Sequence, residues 1–118
     1  MKAQVTKLSD NHFVLPKTAG MYVDVHAFLS EDIFQATEDS VWTQIYQQSC
    51  MPGVIGAYLM PDCHTGYGTP IGSVVVTEDT ILQSCNGYDI SCGVVVLKVD
   101  GLFASDVADV EVRRKFIQ

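Results

Sequence analysis

Apolar and polar positions change their rhythm several times along the chain. Up to about Gly20, polar and apolar residues mix around Pro16 with no sustained period, which predicts an irregular or short-strand entry. Residues 21–25 (MYVDV) alternate, as a half-buried strand does. Ser30 then precedes Glu31 and Asp32, the pattern of an N-cap with acids in the first turn, and Ile33, Phe34 and Thr37 follow at helical spacing. A second helix places Val41, Trp42, Ile45 and Tyr46 on one face and ends at Pro52-Gly53. Residues 55–60 form a short apolar run, 61–70 a loop with Gly66 and Gly68, and 71–77 a β-branched strand. A turn at Glu78-Asp79, a second short strand at 80–82 and a polar connection over 85–92 follow. Residues 93–99 (GVVVLKV) carry a buried-strand signal. Ser105 and Asp106 open a last helix with Val107, Val110 and Phe116 as inward-facing candidates. That helix meets no stop signal before Gln118, the expectation either for the natural end of a small domain or for a longer protein cut at this point.

Strands mixed with helices, without strict βαβ alternation, predict an α+β fold of mixed or antiparallel short strands with two to three helices. The length of 118 residues predicts a single domain over 1–118, with its motif region at 51–100. The composition, 47% hydrophobic and 18% charged, is that of a globular chain able to bury a core. No apolar run is long enough to span a bilayer, and the first twenty residues lack the apolar segment of a secretory signal. The expected compartment is the cytoplasm, with Cys50, Cys63, Cys85 and Cys92 as reduced thiols; none form a C-x-x-C pair.

The net charge of −7 is unevenly spread. Lys2, Lys7 and Lys17 open the chain and the next cation is Lys98, while Asp24, Glu31, Asp32, Glu38, Asp39, Asp62, Glu78, Asp79 and Asp89 lie between. A backbone-binding nucleic-acid surface needs Lys and Arg. This stretch handles phosphate only if bound cations supply the positive charge; the plainer expectation is that it does not touch nucleic acid.

Two clusters carry chemistry. The first, residues 60–72 (MPDCHTGYGTPIG), sets Asp62, Cys63 and His64 side by side ahead of Gly66, Gly68 and Gly72. Glycines this dense let backbone approach a ligand closely, though a Gly-rich crossing loop with an internally bonded His64 has the same sequence. The second, residues 86–93 (NGYDISCG), places Asp89 and Cys92 three apart, within reach of one ion. A carboxylate beside a thiolate suits Mn²⁺, Co²⁺ or Zn²⁺ better than Mg²⁺ or Ca²⁺. Two ligands do not complete a site. The remaining candidates are Cys63, His64 and Cys85, with His12 and His26 from unpatterned regions, and a structural zinc module of Cys63, His64, Asp89 and Cys92 is one way to close it.

The first cluster resembles the P-D-x-H-x-G-x-G-x-x-I-G segment of RtcB-type RNA ligases, and the second resembles their G-x-D-I-x-C-G segment. The order of the two is the family's, and the resemblance covers roughly residues 20–102, the amino-terminal portion only. It implies joining of an RNA 3′-phosphate or 2′,3′-cyclic phosphate to a 5′-hydroxyl with GTP and Mn²⁺, in tRNA splicing and RNA repair, through a guanylylated histidine. It implies Asp89 and Cys92 as metal ligands, with Asp62, His64, Gly66, Gly68 and Asn86 around the active site. The nucleophilic histidine and the remaining metal histidines of such ligases lie downstream of these motifs. His12 and His26 precede both, so the resemblance assigns no catalytic residue here and implies a truncated domain, inactive alone, with weak or no RNA binding. The expected partners are the missing carboxy-terminal portion or a second copy. A different expectation is a small non-enzymatic, homo-oligomeric interaction domain derived from the ligase fold, pairing through 94–97 or the last helix.

Overall fold

The computed structural model describes residues 1–87 and 93–117, the last two as backbone only. It falls into two compact units, residues 1–88 and 89–118.

The first unit is a five-stranded mixed sheet packed against two helices. A hairpin opens it: β1 (Thr6–Ser9) pairs antiparallel with β2 (His12–Leu15). β2 pairs antiparallel with β3 (Val25–Ala27), and β3 pairs parallel with β4 (Val54–His64). β4 in turn pairs antiparallel with β5 (Ile71–Thr77), so the strands lie in sequence order. The parallel β3–β4 pair requires a crossover, which α1 (Glu31–Ala36) and α2 (Asp39–Ser49) supply.

Period-two alternation sorts the strand residues onto two faces. Phe13, Leu15, Val25, Ala27, Ala57 and Leu59 are buried with Val41, Trp42 and Ile45 of α2 in one core. Phe34 of α1 stacks on Phe13 with centroids 4.3 Å apart and meets Trp42 edge-on at 5.8 Å. The other face carries the registered row Val14, His26, Tyr58, Val74.

The first helix starts where the sequence places it. Ser30 Oγ accepts from the Ile33 N–H at 3.4 Å, capping α1. Lys2 Nζ donates to the Gln35 and Thr37 carbonyls at 2.9 and 2.7 Å, satisfying the carbonyl end of α1. Asp39 at the start of α2 accepts from the Lys2 N–H at 2.9 Å and pairs with the N-terminal ammonium at 3.2 Å. These bonds hold its carboxyl below the usual aspartate range.

Several expectations are corrected. Residues 21–24 are not a strand; pairing begins at Val25. Their backbone is bonded elsewhere: the Tyr22 carbonyl accepts from Lys17 Nζ at 2.9 Å, and the Tyr22 N–H donates to the Ser49 carbonyl at 2.8 Å. β4 does not stop before Pro61 but runs on to His64, with a register shift between Leu59 and His64 that accommodates the proline. Residues 80–82 form no strand; a short 3₁₀ turn, Gln83–Cys85, follows them.

In the second unit, residues 93–99 are irregular rather than a buried strand, with Val94, Val95, Val96 and Leu97 between 81% and 90% exposed. Strand propensity is a fit to a pleated, half-buried surface, and among the described residues no strand pairs with this run. The last helix, α3, covers Val110–Ile117, with a 3₁₀ turn at Ala104–Val107 before it. Asp109, not Ser105, caps it: Asp109 Oδ1 accepts from the Glu111 and Val112 N–H groups at 2.7 and 3.3 Å. Val110 is exposed rather than inward-facing, and Phe116 lies outside the described side chains.

Candidate functional site

The Gly-rich cluster sits where β4 ends, turns through residues 65–70 and returns as β5. Its backbone is fixed by one polar stripe of α2. Ser40, Gln44 and Gln48 recur every four residues, so they share a helix face beside the buried Val41, Trp42 and Ile45. Gln44 grips Gly66 twice: Nε2 donates to the carbonyl at 2.7 Å and Oε1 accepts from the N–H at 3.1 Å. Gln48 Nε2 donates to the Gly68 carbonyl at 2.9 Å, while its Oε1 accepts from Cys85 Sγ at 2.9 Å. One buried glutamine thereby ties the first cluster to the residue just ahead of the second.

At the near end, Glu38 accepts from Thr65 Oγ1 at 2.8 Å and Ser40 Oγ at 3.0 Å. The hydrogen bond from Thr65, then that from Ser40, holds the Glu38 carboxyl below its ordinary value. None of Glu38, Ser40, Gln44 or Gln48 is singled out by the motifs. The available signal was a stripe of uncharged polar residues flanking an apolar helix face, where solvent alone does not require glutamine.

Asp62 and His64 are exposed at the end of β4, and His64 Nδ1 lies 2.9 Å from the Asp62 carbonyl oxygen. Cys63 between them is half-buried against the core. Burial pushes its thiol up, only partly offset by a hydrogen bond with Thr37, which disfavours the thiolate a metal needs. Gly72, with φ +71°, brings β5 against this corner. A Cβ there would stand 2.6 Å from Asp62 Oδ1 and 2.9 Å from the Cys63 backbone, so only glycine lets the strands close. At Gly66 a Cβ would collide with the Thr69 carbonyl oxygen.

Asn86 follows the 3₁₀ turn and lines a pocket of about 190 Å³ with Val75, Thr77, Thr80, Ile81, Leu82 and Cys85. The structure thus gathers Asp62, His64, Gly66 and Gly68 on one loop system. Asp89 and Cys92 lie outside the described residues. Among the described residues, no group of three or more His, Cys, Asp and Glu side chains is placed to hold a metal ion. Asp62, Cys63 and His64 therefore do not form a metal centre by themselves. His12 and His26, candidates to complete one, instead face each other across β2 and β3, with Nε2 and Nδ1 3.0 Å apart.

Residues 44–117, from the glutamine that grips the loop to the last helix, match the tRNA-splicing ligase RtcB family. The chain belongs to the RtcB family. It is 36% identical over 106 residues to the tRNA-splicing ligase RtcB of Methanococcus maripaludis, which covers 85% of this chain and 22% of the relative. With the protein of the same name from Archaeoglobus fulgidus the identity is 35% over 104 residues, covering 83% of this chain and again 22% of the relative. An RNA-splicing ligase RtcB from Mycobacterium tuberculosis is 44% identical over 64 residues, half of this chain and 15% of the relative. This RtcB-family chain therefore spans about a fifth of the length of the archaeal relatives it matches. The matched segment contains both clusters and α2 from Gln44 onward.

Proposed function

We propose that this chain is the amino-terminal part of an RtcB-type RNA ligase, contributing half of a metal centre to a reaction completed by residues it does not contain. The reaction joins an RNA 3′-phosphate or 2′,3′-cyclic phosphate to a 5′-hydroxyl at the expense of GTP. Asp89 and Cys92 are the ligands it supplies, for Mn²⁺, and the resemblance assigns Asp62 and His64 to the active-site surround. The observation that carries this reading is the pair of clusters, in order, inside the family match over 44–117. The buried Gln48 that binds Gly68 on one side and Cys85 on the other supports it, because it ties the first cluster to the residue that precedes the second.

The chemistry is consistent with such a division. Transfer of a nucleotidyl group between anionic partners requires dense positive charge at phosphorus. A chain of net charge −7 does not provide that through side chains and would act through bound cations. No histidine follows Cys92 in this sequence, so this reading assigns the nucleotide-carrying step to a residue outside it.

Titration with Mn²⁺ or Co²⁺ tests the site: the unmodified chain should bind more tightly than Asp89→Ala by tenfold or more. Equal affinity for both would remove Asp89 from the metal. Adding the complementary four-fifths of an archaeal relative in trans should restore ligation of a 3′-phosphate RNA end, and a complemented mixture that stays inactive would count against the division.

The exposed run Val94, Val95, Val96 and Leu97 favours a second reading, in which the chain self-associates through this segment. Sedimentation at tens of micromolar should then show a dimer or higher oligomer that Val95→Lys dissociates. A strictly monomeric chain would exclude it.

A further inference from the structure

Two imidazoles meet nitrogen to nitrogen on the sheet face opposite the core. His12 Nε2 lies 3.0 Å from His26 Nδ1. The strands set this pair: Val14 registers with His26 across β2 and β3, and His12, two residues earlier on β2, projects from the same face. Aromatic rings hold both imidazoles. Phe28 stacks on His12 with centroids 4.9 Å apart and planes 22° apart. Tyr58, the β4 partner of His26, stacks on it at 6.0 Å and 25°. Each histidine is half-buried, neither fully hydrated nor sealed.

One proton fits between the two nitrogens, so one imidazole donates and the other accepts. A cation replacing that proton gains two nitrogen ligands at once. With metal–nitrogen bonds of about 2.0–2.1 Å, two ligands on one ion stand about 2.9 Å apart at a right angle and about 3.4 Å apart at the tetrahedral angle. The observed separation of 3.0 Å lies inside that interval. The centroids are 5.2 Å apart with planes at 34°, so the rings meet nearly end to end. Each ring has to turn by roughly 40° about χ1 and χ2 to aim its lone pair off the line between the nitrogens at one common ion. Because adjacent strands already hold the two ligands together, little ordering cost is left at binding.

We propose that His12 and His26 form a transition-metal site for a borderline divalent ion, Zn²⁺, Ni²⁺ or Cu²⁺, with water in the remaining positions. The donor set is two neutral imidazoles, and no third His, Cys, Asp or Glu joins them among the described residues. Such ligands suit zinc, nickel and copper, while Mn²⁺ stands at the weak end of the divalent series. The site is thus chemically distinct from a carboxylate–thiolate centre and does not depend on the ligase reading. An ion bound here bridges β2 and β3 and stabilises the folded sheet by mass action.

The test uses the full chain carrying Asp89→Ala and Cys92→Ser, so that those ligands cannot contribute. Zn²⁺ should bind by calorimetry at one ion per chain, raise the melting temperature, and bind at least about tenfold more tightly than Mn²⁺. Adding His12→Asn or His26→Asn should each weaken zinc by about tenfold or more, because one ligand of a preset pair is lost. Zinc affinity that both substitutions leave unchanged, or no binding at millimolar Zn²⁺, would overturn the proposal. Should a substituted chain fail to fold, the imidazole NMR signals of the parent decide: zinc must move those of His12 and His26 together, and shifts confined to His64 refute the site.

Discussion

At the scale of single residues, the molecule depends on a few positions that tolerate no neighbour. Gly72 is one: its φ of +71° and the Asp62 carboxylate 2.6 Å from where a Cβ would stand leave no space for a side chain. Gly72→Ala should cost at least about 1–2 kcal/mol from the left-handed backbone alone, read by urea denaturation. Glu38 is another. Its carboxyl titrates below the ordinary 4.5 because Thr65 and Ser40 donate to its charged form. A depressed folded-state value stabilises the fold above the unfolded value, and that contribution is lost as pH falls through the folded one. Below pH 4.5 the tether from α2 to Thr65 should therefore weaken progressively. An NMR titration of the Glu38 carboxyl carbon should give a midpoint under 4.5, moving up toward that value in Thr65→Val.

At the scale of elements, sequence reasoning succeeded where a segment carries its own partners. α1 was legible because Ser30 caps it locally, and α2 because Val41, Trp42 and Ile45 fall on one helical face. β5 was legible from its β-branched run. It failed where the deciding partner is distant. Residues 21–24 alternate like a strand, but their backbone goes to Lys17 and Ser49. Residues 94–97 have strand composition and no strand beside them among the described residues. Of the site, the motifs marked Asp62, His64, Gly66 and Gly68. They could not mark Gln44 and Gln48, whose role depends on a loop some twenty residues away meeting α2. Gln48→Leu leaves the Gly68 carbonyl and the Cys85 thiol without their partner and should cost about 1–3 kcal/mol. Gln44→Ala should raise the exchange rate of the Gly66 amide well above that of the β5 amides; unchanged protection would mean that the loop is held by other bonds.

At the scale of the whole chain, the sheet and its core are contained in residues 1–88. A polypeptide of those residues alone should unfold cooperatively, with a melting temperature within a few degrees of the full chain. A broad, non-cooperative transition would show that residues 89–118 are required for the core. No helix among the described residues is long and apolar enough to cross a membrane.

The parallel pairing of β3 with β4 also dictates an order of assembly. Val25 meets Ala57, and His26 meets Tyr58, only after the chain between them has doubled back through both helices. Closing so long a loop is entropically costly and slow compared with forming a hairpin. The β1–β2 hairpin and α2 can thus organise early, while the strand that ends in Asp62 and His64 is seated later, on a surface already built. During synthesis, that strand can lock into place only after β1, β2, β3 and both helices have left the ribosome, with β5 still to follow.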